Sequence, residues 1–246
     1  MKAMILAAGL GQRLKPLTDN IPKALVEIKG VTLLERNILQ LKGAGFNEII
    51  VNVHHFGDKI VDFLRRNNNF DIRIEISDER KLLLDTGGGI RHAEWFFDDR
   101  KPFLVHNVDI LSNINLTELY DSHLKNNALA TLAVSCRRTQ RYFLFDGEDI
   151  LRGWTNIETR QVKPADLQNI NEYRKLAFAG IQILSPQVFD LLNKTDKAKF
   201  SITDFYISLI ENQRIKAFIP SNFKALDVGK ITALQEAEKF FVEKKF

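Results

Sequence analysis

The run KAMILAA, Lys2 to Ala8, is short, apolar and closed by glycine, the pattern of a buried strand. The grammar that follows it constrains the fold more than any single motif. Leu34, Ile38 and Leu41 fall at helical spacing, and Gly43 and Gly45 end that helix. EIIVNV (Glu48 to Val53) is rich in β-branched residues and predicts a strand. Asp58 to Arg66 predicts a helix with Ile60, Phe63 and Leu64 on it, and Ile72 to Ile76 a further strand. A loop LLDTGGGI, a short helix and the strand FLVHNVD complete the first half. Alternating strand and helix implies a largely parallel sheet covered by helices on both faces. Past Ala128 the pattern changes. ALATLAVS, RYFLFD with a turn at Asp146-Gly147, and LAFAGIQIL predict longer strands with less helix between them. Mixed pairing is expected there, an antiparallel extension carrying the acceptor side of a pocket. A closing helix would set Leu234, Ala237 and Phe241 on one face. The fold class is α/β, a mostly parallel mixed sheet flanked by helices.

At 246 residues the chain has room for one large α/β domain or two small ones. With no internal repeat and no low-complexity linker, one domain with two lobes is the simplest reading, divided near residues 127 and 128. Hydrophobic residues at 45% and charged residues at 27% suit a soluble globular protein, and no run could cross a bilayer as a helix. Met1 to Gly9 mimics a signal peptide, but its apolar core is too short and runs straight into Gly9, Gly11 and Arg13. Cys136 is the only cysteine, which excludes an intrachain disulfide and fits a reducing cytoplasm. The net charge of +4 is mild and its Lys and Arg are scattered, which argues against nucleic-acid binding. A monomer or small homo-oligomer is expected.

The stretch LAAGLGQRLKPLTDNIPKAL, Leu6 to Leu25, packs glycine, proline and fixed positive charge behind the first strand. A P-loop would need lysine and a hydroxyl directly after Gly11, where Gln12-Arg13 stand. A dinucleotide loop would need Gly or Ala at position 14, where Leu14 stands. It would also need an acid ending the next strand, which ends in Val53-His54-His55. What survives is a loop whose backbone N–H groups approach an anion, with Arg13 and Lys23 adding charge and Pro16 and Pro22 stiffening it. An ordinary strand-to-helix turn with surface cations fits the composition equally well.

Three other places carry chemistry. Asp109 in HNVDIL lies just past the C-terminal end of an apolar strand, where ligands sit in open α/β sheets. A carboxylate there suits a hard cation such as Mg²⁺. Asp227 in ALDVGK follows another short apolar strand, and the two aspartates together would make a metal clamp. LLDTGGGI has three consecutive glycines, a composition that suggests a close backbone approach. Gly180, inside a strand, marks a bulge or a close approach. His54 and His55 lack partners at metal spacing and read as structural or substrate-edge residues; Cys136 reads as a strand residue without chemistry.

LAAG at Leu6 to Gly9, GQRLKPLT at Gly11 to Thr18 and PKAL at Pro22 to Leu25 together resemble the signature of the sugar nucleotidyltransferases. The resemblance runs on through most of the chain. It implies a Rossmann-like nucleotidyltransferase fold, with a nucleotide-binding half of about 1–127 and a sugar-binding half of about 128–246. It implies transfer of a nucleotidyl group from a nucleoside triphosphate to a sugar 1-phosphate, with release of pyrophosphate. By the same resemblance Leu6, Ala7, Ala8, Gly9, Gly11 and Arg13 would bind nucleotide. Thr86, Gly87 and Gly88 would seat the nucleobase, and Lys23, Asn107 and Gly180 would line the sugar phosphate site. Asp109 and Asp227 would hold Mg²⁺, although Val108 stands where the family usually has glycine before its aspartate. Asp85 stands where glutamate is common, and Val162-Lys163-Pro164 is similar to the family's E-K-P element without its glutamate.

A sugar phosphate monoester has its second pKa near ~6 and attacks without a protein base. That accounts for the lack of a nucleophilic triad, and leaves the protein alignment and charge neutralisation. Arg13 would stabilise the leaving pyrophosphate and Lys23 the substrate phosphates, with Asp109 completing the catalytic set. No hexapeptide repeat precedes Phe246, so no left-handed helical domain is expected. The size and the HNVD and FAGI elements look most like short N-acetylmuramate 1-phosphate uridylyltransferases. A cytidylyltransferase for phosphocholine or another small phosphate, and a non-catalytic nucleotide-sugar sensor, are the alternatives.

Overall fold

The computed structural model describes residues 1–240. Strands β1 (Lys2–Leu6), β2 (Glu27–Ile28), β3 (Val31–Thr32), β4 (Glu48–Val53), β5 (Arg73–Asp78), β6 (Phe103–Asn107) and β7 (Ile110–Ser112) occupy the first half. Helices α1 (Leu33–Gly43), α2 (Gly57–Arg66), α3 (Asp85–His92) and α4 (Leu116–Asn126) alternate with them. The second half holds β8 (Ala130–Ser135), β9 (Arg141–Phe145), β10 (Leu151–Asn156), β11 (Gln161–Lys163), β12 (Arg174–Leu184), β13 (Ile215–Phe218) and β14 (Ala225–Asp227). Helices α5 (Val188–Leu192), α6 (Ile202–Leu209) and α7 (Ile231–Phe240) lie among and after them.

Within the main sheet β6, β1, β4 and β5 are consecutive and parallel, because α1, α2 and α3 supply the crossovers. β12 then joins β6 antiparallel and is the seam of the molecule. On its far side it pairs antiparallel with β8 and, through Arg174 to Leu176, with β9; β10 and β11 extend that edge. The sheet is thus mixed and flanked by helices, as the sequence implies. β1 shows why its run is apolar throughout: Ala3 and Ile5 enter one core and Met4 the other, each fully buried.

Two expectations need correction. LLDTGGGI is not a loop, since α3 runs straight through its glycines. A Cβ on Gly87 would lie 2.4 Å from the Phe200 ring, and one on Gly88 2.4 Å from the Ala198 carbonyl oxygen. One on Gly89 would lie 2.7 Å from Glu79 Oε1. The glycines let a helix sit against backbone, at a propensity cost of about 1 kcal/mol each. Cys136 falls just past the end of β8 and is exposed, so it is not a strand residue. In α7, Ala237 is buried and Leu234 packs on the same core, while Phe241 lies outside the described residues.

Candidate active site

β1 sits between β4 and β6, so the chain reverses direction of travel across the sheet at β1. The C-terminal ends of these strands open on a cleft of about 310 Å³. Such a switch point leaves a crevice where open α/β sheets bind ligands. Leu6 to Gly9 line it from β1, Asn52 from β4, and Asn107 to Asp109 from β6. Leu83, Asp85 and Thr86 close it at the start of α3, with Lys23 and Lys199 facing in.

The glycine loop is built by local bonds. Gly11 has φ 66, a left-handed conformation, and its carbonyl accepts from Leu14 N–H (2.9 Å) and the Thr18 hydroxyl (2.8 Å). A Cβ there would sit 3.0 Å from Thr18 Cγ2 and 3.3 Å from Lys23 Cβ, so only glycine fits both the turn and the close approach. Leu14, fully buried, anchors the short turn that carries Arg13. A Cβ on Gly9 would meet nothing within 4 Å, so this backbone lies open to the cleft.

The amides of Ala7 and Ala8 are not free for an anion. Both donate to Asn52 Oδ1, at 2.6 and 3.2 Å. Asn52 Nδ2 donates in turn to Glu79 Oε1 (2.7 Å), and Glu79 Oε2 accepts from Leu84 N–H (3.0 Å). Glu79 is buried, and burial pushes its carboxyl up; the bonds from Leu84 and Asn52 oppose that rise without cancelling it. His54 Nδ1 reaches the Glu79 carbonyl at 2.7 Å, a structural role. Sequence reading missed Asn52 and Glu79. A lone amide inside the apolar EIIVNV was the available signal for the first; nothing distinguished the second from neighbouring acids.

The predicted charged residues do come together. Lys23 Nζ pairs with Asp109 Oδ2, and both side chains are largely buried. β14 runs antiparallel to β7 with Asp227 opposite Ile110, and Val228 N–H donates to the Asp109 carbonyl at 2.8 Å. That pairing brings the two aspartates side by side. A Cβ on Gly229 would lie 2.6 Å from both Asp227 Oδ1 and Arg13 Nη2, so the bare glycine seats Arg13 next to Asp227. Asp109 does not cap α4, whose first amides bond to the Asn115 side chain.

Val108 needs no special backbone. It lacks a positive φ; its N–H donates to Leu6 O (3.1 Å), its carbonyl accepts from Asn37 Nδ2 (3.0 Å), and its side chain joins the core. Gly180 has φ 70 at a register shift in β12, and a Cβ there would lie 2.7 Å from Asn107 Nδ2. Asn107 and Gly180 therefore meet across the seam. Gly87 and Gly88 do not reach the cleft: both N–H groups donate to Phe200 O, at 2.9 and 3.3 Å. Thr86 does reach it, and its hydroxyl accepts from Ile202 N–H at 2.9 Å, tying α6 to α3. Lys163 lies over the Trp154 ring at 5.3 Å and bonds Asp204 at 2.6 Å.

Arg13 and Asp227 do not line this crevice; they border a second, larger cavity of about 780 Å³, together with the start of β9, β10 and the loop after β8. Among the described residues no three or more His, Cys, Asp or Glu gather as a metal cluster. Asp109 and Asp227 offer two hard oxygen donors, the protein share that Mg²⁺ takes when substrate phosphates supply the rest. Among the described residues, no helix is long and apolar enough to cross a membrane.

A crevice at a sheet switch point, lined by Lys23, Asp109 and the strand end that leads into a glycine turn, with Arg13 and Asp227 on a second cavity, has the outline of a nucleotide-handling α/β protein. The chain belongs to the nucleotidyl transferase family, which matches residues 2–244. Within it the chain falls among the sugar 1-phosphate nucleotidyltransferases. It is 32% identical over 240 residues to the N-acetylmuramate alpha-1-phosphate uridylyltransferase of Neisseria meningitidis, covering 97% of each chain. A protein of the same name from Caulobacter vibrioides is 45% identical over 109 residues, 44% of this chain and 45% of that protein. The fold also matches HddC from Yersinia pseudotuberculosis complexed with GMP-PN (TM-score 0.76, 22% identity, 98% and 99% of the two chains). It matches a UDP-glucose pyrophosphorylase complexed with UDP-glucose at TM-score 0.79, 19% identity and 99% of each chain.

Proposed function

We propose that the protein transfers UMP from UTP to a sugar 1-phosphate, N-acetylmuramate 1-phosphate being the acceptor favoured, and releases pyrophosphate. The observation that carries this is the Lys23–Asp109 pair in the crevice, with Asp227 brought beside Asp109 by the β7–β14 pairing and Arg13 seated next to Asp227. The full-length likeness to the Neisseria enzyme supports the choice of base and acceptor.

In this reading the acceptor phosphate, already ionised near neutral pH, attacks the α-phosphorus without a protein base. A new P–O bond forms there as the bond to the β-phosphate oxygen breaks, and that electron pair leaves with pyrophosphate. Arg13 neutralises the leaving group and Lys23 the phosphates beside Asp109. The open backbone from Gly9 onward and Gly11 cradle the triphosphate, while Asn52 keeps Ala7 and Ala8 in place. Thr86 and Asp85 stand at the base end of the cleft; Asn107 and Gly180 stand on the sugar side. Asp109 and Asp227 would hold Mg²⁺, which when bound supplies charge neutralisation at the α-phosphate. A substrate made as a nucleoside triphosphate fits action in the cytoplasm.

The test is pyrophosphate release with Mg²⁺, four nucleoside triphosphates, and a panel of sugar 1-phosphates plus phosphocholine. Release with UTP and an amino-sugar phosphate, lost with a chelator and in Asp109→Ala, is the expected result. Release with CTP and phosphocholine would move the acceptor assignment. Nucleotide binding without any release would favour a sensor.

A further inference from the structure

The backbone that presents Asp109 to the crevice is braced from four directions. Two braces are other backbone groups: Val108 N–H donates to Leu6 O at 3.1 Å, and the Asp109 carbonyl accepts from Val228 N–H at 2.8 Å. The other two are buried side chains. His106 Nδ1 lies 2.8 Å from Asn107 O, and Asn37 Nδ2 donates to Val108 O at 3.0 Å. The sheet shows why a side chain is needed at Asn107 O. Val108 N–H points to β1, so the Asn107 carbonyl of the same trans peptide faces β12. There the β12–β6 ladder stops at Ile181 opposite His106, and the next residue of β12 is Gly180, with φ 70. The His106 ring supplies a donor at the point where the ladder has ended.

Both side chains are costly to keep in this core. A carbonyl only accepts, so Nδ1 bears the ring proton. Burial pushes the His106 pKa down from 6.5 to about 4, which leaves the ring neutral and Nε2 with a bare lone pair. Nε2 has no hydrogen-bond partner among the described residues, and neither has Asn37 Oδ1. A buried acceptor without a donor is destabilising, and an apolar side chain at either position would avoid that cost. The surroundings are apolar. Ile5 and Ile181 flank His106 across the sheet, and Leu34, Ile38 and Leu41 share α1 with Asn37, all fully buried. Beyond a local bond from Asn37 to Leu33 O at 2.9 Å, what each polar group adds is one hydrogen bond to the backbone before Asp109.

Resting on the nucleotidyl-transfer reading, we infer that His106 and Asn37 are positioning residues for Asp109, fixing the two peptides that flank Val108 so that the carboxylate is held ready for metal and phosphate. The brace acts from beneath the strand end, which lets Val108 place its side chain in the core.

The experiment compares the wild type with His106→Asn, His106→Gln and Asn37→Leu. Asparagine carries its amide nitrogen near the place of histidine Nδ1, and glutamine carries it farther out. UTP affinity is measured by calorimetry with Mn²⁺ and again with EDTA, without acceptor, so the metal-dependent gain reads Asp109 apart from turnover. Pyrophosphate release and melting temperature are recorded alongside. In His106→Gln and Asn37→Leu the gain from Mn²⁺ and kcat should each fall ~10-fold or more, the scale for losing a group that orients a metal ligand. Affinity in EDTA should hold, and His106→Asn should restore both quantities. A wild-type gain from Mn²⁺ in both His106→Gln and Asn37→Leu, or equal losses in His106→Asn and His106→Gln, overturns the inference. So does a wild type whose UTP affinity ignores Mn²⁺. If His106→Gln fails to fold, Asn37→Leu decides, because leucine fills the asparagine site and removes only its bonds. A wild type that gains affinity from Mn²⁺ yet turns over no acceptor overturns the transfer reading, and the Mn²⁺ comparison still decides on His106 and Asn37.

Discussion

Two neighbouring cavities of this protein, the crevice and the larger one, are furnished differently. In the crevice at the ends of β1, β4 and β6, several polar groups already have partners: Lys23 has Asp109, the Ala7 and Ala8 amides have Asn52, Glu79 has Asn52 and Leu84, and Thr86 has Ile202. In the larger cavity beside β9 and β10, Arg13, Arg138 and Arg141 stand exposed and, among the described residues, without carboxylate partners. The first is largely assembled before any ligand arrives, while the second keeps its cations in solvent. For the proposed reaction, the phosphates common to every nucleotidyl transfer would thus meet a preorganised set.

Removing one cation from each cavity tests that contrast most severely. Arg13→Ala and Lys23→Ala should each lower kcat by on the order of 10²-fold or more, the scale for losing a preorganised charge-stabilising group. Their stabilities should diverge. Lys23→Ala leaves Asp109 partly buried and unpaired, so it should also lower the melting temperature. Arg13 is exposed and has no carboxylate at ion-pair distance among the described residues, so its loss should leave melting unchanged. Unchanged turnover in both variants would remove the catalytic assignment. Equal melting losses would erase the distinction between the two cavities.

The next effect is on packing. Gly88→Ala would press a methyl group to 2.4 Å from the Ala198 carbonyl, where backbone cannot step aside as a side chain can. A loss of ~1–3 kcal/mol in denaturant unfolding is expected, with the wall of the crevice disturbed as well. Helix propensity alone would make the same change stabilising by about 1 kcal/mol, so the sign of the shift decides between the two accounts. Asn52→Ala works from the opposite wall. It orphans two buried amides and leaves Glu79 with one bond fewer, at ~1–3 kcal/mol. It should also raise KM for the nucleotide. An unchanged KM would show that this wall of the crevice does not depend on Asn52.

The same contrast separates what the sequence shows from what it hides. Strand β4 runs over the residues its β-branched run predicts, and Asp109 and Asp227 come beside each other from the two strand ends where the sequence puts them. Local pattern suffices there, because apolar period and strand ends are properties of neighbouring residues. The close backbone approach that the three glycines imply is there, against Ala198 and Phe200, but the helix through them is hidden because those partners lie far along the chain and intrinsic propensity points the other way. Asn52 and Glu79 escaped notice because their value lies in whom they bond, not in spacing. The arginines of the larger cavity read as scattered surface charge until β9 and β10 folded beside Arg13.

The smallest effect lies at the seam joining the two regions, where His123 of α4 bridges β8 and the residue after β12. The Ser185 hydroxyl donates to Ala128 O at 2.7 Å, so it can only accept from His123 Nε2–H at 3.0 Å. Nδ1 then accepts from the Thr131 hydroxyl at 2.9 Å, which makes the buried ring neutral. Burial lowers its pKa from 6.5 to about 4. Between those values the unfolded chain binds a proton that the folded chain refuses, so this group's stability contribution falls as pH drops through that window. His123→Asn should cost stability at neutral pH, and that cost should shrink by up to ~1.4 kcal/mol per pH unit on acidification. Melting curves of both proteins from pH 7.5 to 4.5 measure it. Parallel curves would show the ring already charged in the folded state, and the seam would then be held by an ion rather than by a neutral relay of hydrogen bonds.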